Sequence, residues 1–178
     1  SAMRTFEGSA VMSDNLGNLL FYSNGGDAPY PGGIWNRNHQ LMPNGDLTGG
    51  NGCNSSFQSS LIVERPGFSD QFYLFTTDCM ENSAAGGLSY SVIDMTLDGG
   101  LGDVVVKDEQ LTRYTDEAVT AIRHENGKDY WIITHKLHTD SFYVYHLTKQ
   151  GITGLVKQKI GPTTPDYAGS IKPSSNGE

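Results

Sequence analysis

TAIRHENGKDYWIITH, residues 120–135, sets a short apolar run, a polar turn closing on Gly127 and an aromatic, β-branched run in that order. Two strand-forming runs around a Gly-containing turn read as a hairpin. The arrangement also stands upstream twice, as SLIVERPGFSDQFYLF at 60–75 and SAVMSDNLGNLLFY at 9–22, and SIKPSSNGE at 170–178 opens it again. The turn glycines are Gly17, Gly67, Gly127 and Gly177, at intervals of 50, 60 and 50 residues. A repeated β unit of this length predicts sheet modules that bury their faces on one another.

Within each unit a third strand follows a variable loop, at 33–35, 88–93 and 142–147, and a fourth is readable at 104–106 and 155–157. The runs 19–22, 72–75 and 130–133 are apolar enough to be central strands covered on both faces. No stretch of a dozen residues holds a 3.6-residue apolar period without Gly or Pro intervening. The expected fold is all-β: a partial β-propeller of about three four-stranded antiparallel blades plus the first strand of a fourth. The approximate blades are 4–57, 58–115 and 116–167, with 168–178 as the start of the fourth, and residues 1–3 read as a cloning scar.

Composition narrows the partners. Twelve basic against twenty acidic residues give a net charge of −8, and the basic ones are scattered along the sequence without a stripe to neutralise phosphates. Nucleic acid is therefore not an expected partner, and no apolar run is long enough to span a bilayer as a helix. Twenty-two glycines with many Asn, Ser, Thr and Tyr fit a turn-dense protein outside the cytosol, so an extracellular or cell-surface location is expected. Cys53 and Cys79 are a disulfide pair or two free thiols on this evidence, since their spacing matches no metal or redox motif.

The chain resembles the propeller-like repeat region of large secreted or surface proteins from Bacteroidetes-type bacteria, often attached to gliding-motility or adhesin-like modules. The resembling stretches are GNLLFY (17–22), IWNRNHQLMPNG (34–45), QSSLIVERPG (58–67), YSVIDMTLDGGLGDV (90–104), TAIRHENGKDYWIITH (120–135) and GSIKPSSNG (169–177). The resemblance implies a fold and carries no catalytic motif. It also implies that His135 ends a central strand and bonds to neighbouring backbone. A closed propeller needs roughly four to eight blades. The expected partners are therefore further copies of the chain or the remainder of a longer propeller.

Candidate chemistry is sparse. His135 and His138 could hold a metal with Asp140 only if a turn separates them, because strand residues three apart face opposite ways. Zinc or calcium is thus the alternative to no cofactor. Asp94, Asp98 and Asp103 sit in an acidic loop, but their spacing is not that of a calcium loop and Asx turns account for them. No G-x-S-x-G occurs, and the acids to inspect for glycoside hydrolysis are Asp78, Glu81, Asp116, Glu117 and Asp129. Tyr30, Trp35, Tyr114 and Tyr167 are candidate binding aromatics, able to stack on sugars or anchor a protein, whereas Trp131 reads as core. The expected function is a non-catalytic module for adhesion, recognition or scaffolding. The alternative is a hydrolase of esters, phosphoesters or glycosides with a site assembled from several blades.

Overall fold

A computed structural model describes residues 3–163 and 169–174. Twelve strands form three four-stranded antiparallel sheets, each ordered as its strands occur in the chain. The first sheet holds β1 (Ala10–Ser13), β2 (Leu19–Ser23), β3 (Gly33–Asn36) and β4 (Leu41–Asp46). The second holds β5 (Ser60–Glu64), β6 (Gln71–Thr77), β7 (Leu88–Asp94) and β8 (Asp103–Thr112). The third holds β9 (Thr115–Arg123), β10 (Tyr130–Lys136), β11 (Ser141–Thr148) and β12 (Gly151–Lys159). Among the described residues the only helices are two single 3₁₀ turns, Met80–Asn82 and Asp98–Gly100, and none is long and apolar enough to cross a membrane.

The repeat is geometric. Gly17, Gly67 and Gly127 each sit in the turn between the first and second strands of their sheet, all with positive φ. Each turn closes on its first residue, through Gly17 N to Asp14 O, Phe68 N to Arg65 O and Gly127 N to His124 O. Gly177 lies outside the described residues. Residues 169–174 of the expected fourth unit are described and form no strand. They run beside the third sheet, sharing a groove with Asp116, His135 and Phe142, and the Ile171 N–H donates to Gln58 Oε1 of the β4–β5 crossover at 3.0 Å.

The second sheet lies between the other two, and β6 shows why its run of apolar residues is unbroken. Phe72 and Leu74 point to the first sheet and pack with Phe21, Ile34 and Met42, while Tyr73 and Phe75 point to the third and pack with Val119, Ile132 and Leu147. Each fully buried side chain of this size stabilises the fold by about 1.5–3 kcal/mol. Coverage on both faces, expected for three strands, holds for β6 alone. The strands β2 and β10 alternate, because their sheets each turn one face outward. The outward face of the first sheet carries the row Val11, Tyr22, Trp35 and Leu41, that of the third Trp131 with Ile133, Val144 and His146.

No strand was expected at β4, which contains Pro43, Asn44 and Gly45, residue types depleted in strands. It occupies the edge of its sheet, where a missing N–H leaves no ladder bond unmade.

Candidate functional site

Antiparallel meanders place alternate connections at opposite ends. One end has the short Gly turns. The other gathers the β2–β3 loop (24–32), the β4–β5 crossover (47–59), the β6–β7 loop (78–87) and the turns before β9 and β11. Three segments dense in Gly, Asn and Ser, 23–32, 45–57 and 79–87, thus fall almost wholly at this one end.

Buried polar groups bind these loops together. Asn24 donates to the Arg4 and Pro31 carbonyls and accepts the Gly33 N–H, while Asn54 donates to the carbonyls of Gly26 and Tyr30. Asp78 accepts the N–H groups of Cys79 at 2.9 Å and Gly86 at 2.7 Å and the side-chain amide of Asn82 at 3.0 Å. Glu117 accepts Phe57 N–H at 2.9 Å and Met80 N–H at 2.7 Å. Cys53 and Cys79 form a disulfide joining the β4–β5 crossover to the β6–β7 loop. At the crossing of the β2–β3 loop with the crossover, a Cβ on Gly26 would strike Gly52 and one on Gly52 would strike Gly25, so the two backbones meet where only glycine fits.

Beside the disulfide lies a groove of about 330 Å³, lined by Phe6, Ala28, Pro29, Ser55, Glu81 and Asn82 together with the two cysteines. Its walls are mainly apolar and Phe6 is 62% exposed. The Ser55 hydroxyl donates to Glu81 Oε1 at 3.0 Å on its rim. The groove can take an aromatic, aliphatic or sugar-ring face and offer a carboxylate and an amide beside it.

The candidate residues are dispersed. Tyr30 is half-buried at the loop end with the Arg4 guanidinium 4.1 Å from its ring centre. Trp35 is buried in β3 and stacks on Tyr22 at 5.8 Å, a packing role within the first sheet rather than an exposed one beside Tyr30. Tyr114 is 47% exposed in the β8–β9 turn, with Lys136 Nζ 5.3 Å from its ring centre. Tyr167 lies outside the described residues. Trp131, read as core, is half-buried on the outward face of the third sheet, its ring centre 4.6 Å from that of His146 and 4.8 Å from that of His124, both pairs tilted.

His138 lies within the turn after β10, exposed and with φ 59°. His135, Asp140 and His138 nevertheless do not gather their ligand atoms: the one three-residue group among the described residues that does is Cys53, Asp78 and Cys79, whose sulfurs are bonded to each other. His135 is the last residue but one of β10 and is buried, with Nδ1 2.8 Å from Asp116 Oδ2, so a carboxylate is among its partners. Asp140 takes the Ser141 hydroxyl at 3.0 Å and faces Lys159 Nζ at 3.9 Å.

The inspected acids are each held by local partners. Asp129 accepts Asn126 Nδ2 at 2.8 Å and approaches His146 Nε2 at 3.2 Å. Burial raises the Asp116 carboxyl above its ordinary pKa against the pull of His135, and burial raises Glu117 against its two N–H donors. The buried amides and Glu117 carried no motif. Only the density of Asn, Ser and Gly in the loops hinted that side chains would supply hydrogen bonds missing from the ladders. Comparison with family models, with curated proteins and with solved structures finds no match for the chain.

Proposed function

We propose that the chain is a propeller segment acting as a non-catalytic recognition module, with the long-loop end as its binding face. The observation that carries this is the groove of about 330 Å³ framed by loops from two sheets and anchored by a disulfide and buried amides. Loops held on a rigid scaffold are where β proteins place binding residues. A preformed groove binds without the cost of ordering its walls. The ligand is a protein side chain or glycan ring seated against Phe6 and Pro29.

Support for the propeller reading comes from the first strands of the sheets, since β5 packs beside both β1 and β9, as blades around an axis would arrange them. Three sheets do not close a ring, and the two outward faces carry apolar rows suited to neighbouring sheets. A second copy of the chain, or further sheets of a longer propeller, would cover them. The disulfide supports an extracellular or cell-surface setting, where such bonds persist. The resemblance to surface repeat proteins of Bacteroidetes agrees with that setting and rests on the quoted sequence stretches.

The test is capture of the intact chain on glycan and peptide arrays, repeated with Phe6→Ala and Glu81→Gln. Phe6 is exposed and the substitution should leave folding intact. The expected result is a hit weakened about tenfold, the ~1.4 kcal/mol of one aromatic contact at an interface. Hits untouched by either substitution would move the binding face elsewhere on the molecule. Light scattering that shows dimers or larger rings would favour a second copy as the neighbour.

A further inference from the structure

The geometry points to an oxyanion-binding groove at the opposite, short-turn end, between the second and third sheets. A cavity of about 500 Å³ there is lined by Arg65, Arg123, Lys128 and Lys149, with Glu64 and Asp129 as the acids. Four of the twelve basic residues of an acidic chain thus meet in one place. They come from the end of β9 and from the β5–β6, β9–β10 and β11–β12 turns, 84 residues apart at the extremes, which is why the sequence shows no basic stripe.

Two features mark this groove as more than a chance of surface charge. The first is that the guanidinium groups are fixed by neutral acceptors, which orient them and leave their charge uncancelled. Arg65 donates Nη1 to Gln71 Oε1 at 2.7 Å and Nη2 to the Lys149 carbonyl at 3.0 Å. Arg123 donates Nη1 to the Gly127 carbonyl at 2.8 Å and Nη2 to the Tyr130 hydroxyl at 2.9 Å. None of the four cations is ion-paired among the described residues. Of the two acids in the lining, Asp129 is turned to Asn126 and His146.

The second feature is that aromatic faces back the cations. The Arg65 guanidinium lies 4.4 Å from the Phe68 ring centre and Lys149 Nζ 5.9 Å from the same ring, while Arg123 lies 5.1 Å from that of Tyr130. Cation–π contact restrains the long side chains before any ligand arrives. Forked guanidinium donors suit sulfate, phosphate and carboxylate oxygens, and the two exposed lysines add point charges. The ligand class is a small molecule or glycan end bearing two or more such oxyanions, of a size to fill the groove.

The binding is tested by calorimetric titration of the intact chain with three probes: inorganic pyrophosphate, a disulfated disaccharide and a digalacturonate. At least one is expected to bind one to one, and the tightest names the source of the oxyanion. Raising the salt from about 20 to about 200 mM should weaken binding roughly tenfold, as screening of exposed charges requires. Arg123→Gln with Lys149→Gln should weaken it at least tenfold. Should that pair unfold the turn, Lys128→Gln with Lys149→Gln changes only exposed side chains and should weaken binding severalfold. Lys107→Gln, outside the groove, should leave it unchanged. Absence of stoichiometric binding by all three probes at low salt, or an equal loss in Lys107→Gln, overturns the proposal. Because the groove lies at the other end from Phe6, its failure says nothing about the loop face.

Discussion

Glu117 at the start of the third sheet accepts the N–H of Met80 from the second sheet's loop at 2.7 Å, and its other oxygen takes Phe57 N–H from the crossover at 2.9 Å. One carboxylate, 2% exposed, therefore ties three chain segments together at the loop end. Glu117→Gln keeps the shape but turns an amide donor toward one of two backbone donors. Leaving a buried N–H unpaired costs about 1–3 kcal/mol. Urea denaturation at neutral pH should show a loss in that range, and an unchanged midpoint would mean the two contacts contribute nothing net.

The disulfide closes a loop across a sequence separation of 26 residues. Chain-entropy arithmetic gives it about 3–4 kcal/mol of stabilisation. Cys53→Ser with Cys79→Ser should lower the thermal midpoint by many degrees, and reduction of the native chain should lower it comparably. Equal midpoints for oxidised and reduced protein would show that the buried amides alone hold the loops.

Gly52→Ala probes the backbone crossing. The added methyl would meet Gly25 O and the Thr76 side chain, and the first of these is main chain that cannot rotate away. Overpacking of this kind costs about 1–3 kcal/mol. Gly127→Ala makes a contrast, since its Cβ would meet nothing within 4 Å and only the positive φ of 67° is strained. Denaturant midpoints should rank Gly52→Ala below Gly127→Ala; the reverse order would contradict the close crossing.

Asp108 provides a pH signature. Burial raises its pKa, opposed by the Asn51 N–H that it accepts at 2.7 Å and by Lys107. The folded state then holds the proton to higher pH than the unfolded chain does. Its contribution to stability is full below the unfolded carboxyl pKa and falls as pH rises through the folded one. Asp108→Asn removes that titration and suits the positive φ of 55°. The difference in midpoint, variant minus native, should grow in favour of the variant from about pH 4 to pH 7, where the ordinary carboxyl value is left behind. A flat difference would show that burial does not set the charge state of this group.

Much of the fold was legible because strand signals are local. The apolar runs placed β2, β6 and β10, but read all three as covered on both faces where only the run in β6 is. The run alone did not say which of the three units was the middle one. That depends on having a sheet on each side, and of the three runs only the one in β6 is so placed. The strand β4 hid behind Pro43, which an edge strand tolerates because no ladder donor is needed there.

The candidate sites were less legible. Trp35 and Trp131 look alike as isolated aromatics in strands, yet their exposure is decided by Tyr22 in one case and by His124 and His146 in the other. His135 and His138 stand close in sequence and apart in chemistry, because β10 ends between them. The pairing of the cysteines was likewise open until the two loops were seen to meet.

From the sequence by itself came the β class, the repeat, the turn glycines and the placement of most strands, all of which rest on side-chain period and turn chemistry within a few residues. Tertiary structure alone decided that the long loops share one end, that Cys53 meets Cys79, and that four distant cations face one groove. The reason is that these arrangements join residues from different sheets, and the packing of one sheet on another is set by summed burial over whole faces, which no short stretch of sequence records.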